Sequence, residues 1–581
     1  MTSIRSPRGR RATLLRRLLP LARRAIFGTL SETSRTCGRA GCHCQTGPKH
    51  GPHLYMSFRG PTGTTAGYYV PQALGSRVRT GVAAWQELQA QLRELAELNR
   101  RQLWAARPPR LEARRPPRRR MVRRAFVQHS LVEVWLPDGD KLWDPTLRAI
   151  DEVLTDDELV GQVVEAQGRR HRQSRRRGRP GTPAEVVLRM LVLKHLFDWS
   201  FDECEREVRG SLVYRPFCRI DGERVPDAKT LIRLSHCLEP DTLKGLVERL
   251  VVLARQRRIV RGRRLRVDTT VVETTIHYPT DSTLLADGVR VLTRTLKRLR
   301  TAATDGVVRL RDRTRSVARR VFALTQLSRQ AKQDPVKLRM RTLYRELMGR
   351  TRAVVREAEA AVQQVAAGTV RVAGRAQVAV QGLAQQLRET SGLVRRVLAQ
   401  TQARVLRGNT HDPDKVLSLF EPHTEAIRKG KAVKPTEFGK LVKIQEAEAQ
   451  FITDYEVCQR RVPDQALWVP SLVQHEHLFG RVPRLAVADA GFASRANERA
   501  AHARGVHTVV LPWQRRKGRG RRVRAALTWR TGCEGRISAL KRRHGLRRSR
   551  YRGILGIERW VGLGVIANDL LVLGRAGPRA R

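Results

Sequence analysis

Two short apolar runs, each closed by an aspartate, restrict what this chain can fold into more than any other feature. Arg264-Leu-Arg-Val-Asp268-Thr-Thr-Val-Val and Leu485-Ala-Val-Ala-Asp489 are rich in Val and Leu, as strands buried in a sheet are. In the first, Leu265, Val267 and Thr269 fall on one face and Arg266, Asp268 and Thr270 on the other, because side chains alternate along a strand. A third acid lies in Arg530-Thr-Gly-Cys-Glu534-Gly-Arg-Ile-Ser-Ala-Leu-Lys541. Spacings of four and seven residues are close to one and two helical turns, so Arg530, Glu534 and Lys541 share a helix face. One carboxylate between two fixed cations suits an acid that holds a metal ion while its neighbours hold phosphate oxygens. Taken singly, each acid reads better as a turn former, a helix cap or half of a solvated ion pair than as a catalytic group. Order, element type and the Arg/Lys spacing together favour a catalytic set.

Two strand-borne Asp residues followed by a helix-borne Glu, with Arg-x3-Glu-x6-Lys matched without a gap, resemble the DDE transposases. A Tyr usually stands three residues before that Arg, and this chain has Leu527 there. From Met121 to about Leu571 the chain resembles the ISNCY group of insertion-sequence transposases more closely. The resemblance runs through Arg179-Pro-Gly-Thr-Pro-Ala-Glu, Phe217-Cys-Arg-Ile, Arg266-Val-Asp-Thr-Thr-Val-Val-Glu-Thr and Tyr278-Pro-Thr-Asp-Ser. It implies an α/β, RNase H-like mixed sheet with flanking helices, and a DNA transposase that cuts and joins insertion-sequence ends. It also implies two Mg2+ or Mn2+ ions, expected ~3.5 to 4 Å apart, on Asp268, Asp489 and Glu534. Asp268 would bridge both ions, while Arg530 and Lys541 would contact phosphates of the cleaved strand. Double-stranded DNA, a homo-oligomer on that DNA and a bacterial cytoplasmic, nucleoid-associated location are implied as well. Two other classes stay open: an RNase H-like nuclease or recombinase that cuts without joining, and a non-catalytic DNA-binding repressor derived from a transposase. The first sits poorly with the Arg/Lys signature, and the second should have lost an acid.

Charge points the same way and no further. The 581 residues carry 114 Lys and Arg against 54 Asp and Glu, a formal charge of +60, so the chain attracts polyanions. The alternative reading is a GC-rich coding bias toward Arg, so charge alone implies binding to DNA or RNA and no more. The eight Cys form no paired framework, which fits a reducing compartment. No apolar run reaches the ~18 residues of a membrane span, and Leu14 to Leu30 is broken by Arg residues and Pro20. The Arg-rich, acid-free first 25 residues read as a DNA-contacting helix or as a transit peptide, and the transposase resemblance favours the former.

The length implies several units. Residues 1–105 form an N-terminal α+β module, with a basic helix from Thr13 to Thr29 and a hairpin-like stretch. An amphipathic helix follows from about Val82 to Leu103, with Leu88, Leu92, Leu95 and Leu98 in one stripe. Between the first helix and the hairpin, Cys37, Cys42 and Cys44, with His43, His50 and His53 nearby, supply either Cys3His ligands to a structural zinc or a thiol-rich turn. Residues 106–124 are a Pro/Arg-rich linker containing Met121. Residues 125–255 read as a helical domain, either a helix-turn-helix-like DNA grip or a packing bundle. Capping boxes are expected at Thr182-Pro-Ala-Glu185 and Ser200-Phe-Asp-Glu203, and a cap at Asp227. Residues 262–571 form the catalytic domain. A long helical insertion, about 289–407, separates Asp268 from Asp489, which stand 221 residues apart, whereas Glu534 follows Asp489 by 45. The basic stretch Arg515-Arg-Lys-Gly-Arg-Gly-Arg-Arg reads as a backbone-clamping loop. Glu273, His277 and Asp281 read as supporting residues.

Overall fold

Alternating strands, long helices and a Pro/Arg-rich break resolve, in the computed structural model, into two compact units, Met1–Arg115 and Pro116–Arg581. The described residues are 7–59, 65–105, 120–121, 124, 142–170, 179–220, 222–303, 310–329, 333–370, 376–410, 415–428, 436–512 and 520–576. Most of the linker and the loop 513–519 therefore lie outside them.

In the first unit, helix α1 (Pro7–Arg24) leads into a three-stranded antiparallel sheet of β1 (Thr29–Arg35), β2 (His50–Arg59) and β3 (Thr65–Tyr69), followed by helix α2 (Gly75–Ala105). α1 starts and stops a few residues before the expected helix. The two helices pack through Leu21, Ala84 and Leu88, with Leu18, Ala25 and Trp85 alongside. The expected leucine stripe is corrected at Leu92, which is 47% exposed, while Gln91 is buried. Positions 81, 84, 88 and 91 follow a seam that drifts away from a strict four-residue step, so Gln91 falls inward and Leu92 turns out.

In the second unit, among the described residues, a short parallel pair, Arg120–Met121 with Arg179–Pro180, accompanies the helices α3 (Pro145–Val153), α4 (Asp157–Gly168), α5 (Ala184–Leu196), α6 (Phe201–Gly210), α7 (Tyr214–Phe217), α8 (Ala228–Ser235) and α9 (Pro240–Gln256). Ser200 and Glu203 form the expected reciprocal capping box on α6, and Asp227 accepts from the Thr230 N–H at 2.7 Å on α8. Thr182 does not cap α5, whose N-cap is Pro183 with no side-chain bond. Glu185 instead pairs with Arg189 at 2.9 Å and Arg219 at 3.4 Å, since the fully buried Arg189 guanidinium needs acidic partners more than an exposed backbone N–H does.

A six-stranded mixed sheet follows: β4 (Arg264–Glu273), β5 (Glu425–Arg428), β6 (Thr436–Glu446), β7 (Ile452–Val457), β8 (Leu485–Ala488) and β9 (Thr508–Val510). Its order is β9-β8-β4-β6, with β5 and β7 sharing the far edge of β6. β8 and β9 run parallel to β4, and β6 runs antiparallel to it.

Helices α10 (Asp281–Ala302), α11 (Thr314–Ser328), α12 (Asp334–Ala366) and α13 (Gln377–Thr401) intervene between β4 and β5. They enclose a separate core that includes Leu284, Leu292, Leu347, Val354, Leu387 and Val394. This helical segment begins at Asp281, earlier than 289, because Thr280 caps α10 with its side chain on the Thr283 N–H.

After β7 and β8 come α14 (Trp468–Phe479) and α15 (Arg495–Ala503). They cover one sheet face, where Trp468, Leu472 and Phe492 meet Leu265, Val267 and Val271. α16 (Arg521–Arg543) crosses the other face, and α17 (Ile554–Ala576) is buried on nearly every side. The core around α17 takes in α3 to α9 together with Val272, Val442, Ile444 and Tyr455 of the sheet. It therefore runs across the expected limits of 125–255 and 262–571.

Candidate active site

Register brings the two aspartates together. Val487 pairs with Arg266 and Ala488 with Val267 on adjacent parallel strands, so Asp489 and Asp268 are the residues that each follow the last pair. Strands so paired lie about 4.8 Å apart, and equal register means the same face. Each carboxylate is oriented locally. Asp268 Oδ1 accepts from the Thr269 N–H at 2.7 Å, and Asp489 Oδ1 accepts from the Gly491 N–H at 2.9 Å as it caps a single turn.

The face they share is the one α16 crosses. Its first half packs Ala526, Val523 and Leu527 against Val487 and Val510, so Leu527, which replaces the usual Tyr, fills an apolar seam. Its middle is clamped to β4. Arg266 donates to the Trp529 carbonyl at 2.6 Å, lies 4.9 Å from the Trp529 ring centroid, and pairs with Glu446 of β6 at 2.5 Å. The approach is close enough that a Cβ on Gly532 would stand 2.4 Å from Arg266 Nη1.

Cys533 takes the inward position. Burial pushes its thiol well up, and the charges of Glu446 and Asp268 push it the same way, so it stays protonated. Glu534, one residue on and therefore about 100° round the helix, is exposed. It pairs with Arg530 at 3.2 Å, a bond along the helix surface. Lys541 is half-buried two turns later.

Among the described residues, one group brings three or more Cys, His, Asp or Glu ligand atoms within 4.8 Å of one another: Cys37, Cys42, Cys44 and His50. Asp268, Asp489 and Glu534 are not gathered so tightly. The two aspartates are in register, and the glutamate stands on the flank of the helix above them. In the Cys group the Arg39 N–H draws the Cys37 thiol down to about 6. Of the expected histidines, His50 is the one that joins; His53 packs against Tyr69 instead.

Three residues near the site were not singled out from the sequence. Glu446 ends β6, whose apolar residues are interrupted by Lys443 and Gln445, and burial holds its carboxyl above the usual range despite Arg266. Arg536 of α16, half-buried, donates to Asn568 at 2.9 Å and fastens the helix to α17. Asp464 accepts from Thr269 Oγ1 at 3.1 Å, and its Oδ2 lies 2.7 Å from where a Cβ on Gly491 would be. A Pro-Asp step before a short helical turn carries no signal that would have marked it.

The supporting residues have structural partners. Glu273 pairs with Arg548 at 3.1 Å, His277 lies 3.4 Å from Asp287, and Asp281 accepts from Gln400 and Arg404 at 3.1 Å each. Away from the sheet, α8 turns Lys229, Ile232 and Arg233 to solvent. No helix among the described residues is long and apolar enough to cross a membrane.

Residues 134–237 match a family model described as a transposase domain (DUF772), which supports a transposase family for the chain. Residues 7–80 match a second, described as a domain of unknown function (DUF6788). No curated protein and no solved structure matches the chain.

Proposed function

We propose that the chain is a DDE transposase that binds double-stranded insertion-sequence ends, cuts them and joins them to target DNA. The observation that carries this is the register of β4 and β8, which aligns Asp268 with Asp489 on the face crossed by the helix of Arg530, Glu534 and Lys541. The match of residues 134–237 to a transposase domain supports it independently. The order β9-β8-β4-β6, with β8 and β9 parallel to β4 and β6 antiparallel, supports the RNase H-like reading of the sheet. The ISNCY kinship, a homo-oligomer on DNA and a nucleoid location belong to the same proposal.

The residues fit Mg2+ or Mn2+. Asp268 and Asp489 offer hard oxygen donors at the ends of neighbouring strand pairs, Glu534 is an exposed carboxylate on the helix that crosses that sheet face, and the neighbouring Cys533 is held in its neutral form. Two such ions, when bound, supply an activated hydroxyl nucleophile and neutralise charge on the leaving oxygen. Arg530 and Lys541 hold the scissile strand by its phosphates, and the Arg266 clamp fixes the helix that carries them.

Asp268→Asn, Asp489→Asn and Glu534→Gln should each abolish cleavage of labelled end DNA while leaving its binding nearly intact. Full cleavage by any one variant removes that residue from the site. Cleavage by the unaltered chain without any end joining would favour the nuclease, and binding without cleavage the repressor.

A further inference from the structure

We propose that Cys37, Cys42, Cys44 and His50 bind one zinc ion that is structural for the N-terminal unit, a site independent of the three acids. The loop between β1 and β2 builds it. β1 ends at Arg35, whose register partner on β2 is His50, so the sheet holds the first and last parts of the loop together. Between them the chain reverses through Gly38 and Gly41, at φ of 72° and 80°, a left-handed conformation that glycine adopts without strain. That reversal returns Cys42 and Cys44 beside Cys37.

The four ligand atoms converge to about the spacing of a tetrahedral set, within half an ångström for the two closest pairs. With zinc–sulfur bonds of about 2.3 Å and zinc–nitrogen bonds near 2.0 Å, two sulfurs should lie about 3.8 Å apart, and a sulfur and a nitrogen about 3.6 Å. Cys37 and Cys44 Sγ are 3.6 Å apart, Cys42 Sγ is 3.1 Å from His50 Nε2, and all four ligand atoms lie within 4.8 Å of one another. The Cys37–Cys44 separation is far longer than the roughly 2.05 Å of a disulfide. The Cys37 N–H also donates to Cys44 Sγ at 3.4 Å, a bond that turns that sulfur toward the centre of the group.

Chemistry selects the ion. Three thiolates and an imidazole are soft to borderline donors that favour zinc over Mg2+ or Ca2+. Four protein ligands complete the tetrahedron and leave no position for a substrate, which makes the ion structural rather than catalytic. It would close the fourteen-residue loop 36–49, a segment that carries no strand and only one short helical turn of its own, His43–Gln45.

The test is metal analysis of the full chain, purified under reducing conditions with zinc present. About one equivalent of zinc is expected, falling to near zero in Cys37→Ser, Cys42→Ser, Cys44→Ser and His50→Ala, and staying at one in Cys204→Ser, a buried thiol of the other unit. Because a ligand variant can lose zinc by failing to fold, His50→Cys serves as the check. It keeps four ligands and should keep the ion. Co2+ in place of zinc should give the visible bands of a tetrahedral thiolate site, altered in position by His50→Cys. Removing zinc from the unaltered chain with a chelator should expose residues 36–49 to protease while residues 142–576 keep their cleavage pattern. Less than a tenth of an equivalent of zinc in folded protein would overturn the proposal, as would zinc that survives all four ligand substitutions or a Co2+ complex without thiolate bands. Activity on DNA enters none of these readouts, so failure here leaves the transposase reading untouched, and the reverse holds.

Discussion

Replacing Arg266 with Met tests whether a buried ion pair holds α16 over the acids. The Arg266 side chain is 3% exposed and that of Glu446 is fully buried, and the guanidinium also serves the Trp529 carbonyl and ring. Arg266→Met leaves the Glu446 carboxylate without its counter-ion inside the protein, a loss of about 3 to 5 kcal/mol for a pair of this kind. The pH dependence follows from the direction of the Glu446 shift. Burial already raises its native pKa above the unfolded value of about 4.5, so the native form binds protons more readily than the unfolded form. Stability from this group is therefore lost as pH rises from about 4.5 through the native pKa. Without Arg266 that pKa moves higher, the window extends upward, and the variant should lose more stability at pH 8 than at pH 6. The double variant Arg266→Met/Glu446→Leu removes both charges and should regain most of the loss, yet still cleave poorly because the clamp on Trp529 is gone. Urea unfolding of the unaltered chain and the two variants at both pH values, with end cleavage beside it, decides the matter. A loss under about 1 kcal/mol for Arg266→Met, equal at pH 6 and pH 8, would refute the reasoning.

Three further outcomes are expected. Gly532→Ala should lower both the melting temperature and cleavage, because a Cβ 2.4 Å from a guanidinium pinned by two partners outweighs the ~1 kcal/mol that Ala otherwise contributes to a helix; a stabilised, fully active variant would show that α16 has room to move. Lys194 stands among the rings of Phe201, Tyr551 and Trp560, and burial draws its pKa down to about 8. The unfolded chain then holds this proton over a pH range in which the native one does not, so wild-type stability should rise between about pH 8 and 10.5; Lys194→Met should flatten that rise, and melts across the range that coincide in shape would count against it. Lys541→Ala should weaken binding to every end sequence alike and reduce the slope of log K against log salt by about 0.9; a salt titration with an unchanged slope would remove the lysine from the DNA interface.

What the sequence made legible was local. The strands around Asp268 and Asp489 follow from runs of branched apolar residues, and the box at Ser200 and Glu203 lies within one helical turn, so each could be read without knowing the rest of the chain. The long helical segment was legible for the same reason, since Leu347 and Val354 repeat at helical spacing and both are buried. Where a residue had a choice of partner, local reading failed. Thr182-x-x-Glu185 has the sequence of a capping box, but Glu185 faces Arg219 and a buried Arg189 brought to it by folding. Leu92 looks apolar enough for the helix seam, but the geometry of two crossed helices takes Gln91.

The candidate site shows the same division. The aspartates could be named from their strands, but that each follows the last pair of one ladder depends on the register of β8 against β4, set across 221 residues that include a long helical segment. The glutamate could be named from Arg-x3-Glu-x6-Lys, but its height above the sheet is set by Gly532, Cys533 and Arg266, none of which the spacing mentions. With Cys533 turned inward, Glu534 rests on Arg530 rather than on the aspartates. Under the proposed function this pairing has a physical use. A DNA phosphate would compete with Glu534 for the Arg530 guanidinium and so free the glutamate to turn from it. The signature would thus hold cation and acid in one helical turn because substrate binding separates them, and the two in-register aspartates would wait on a rigid sheet for the third ligand to arrive.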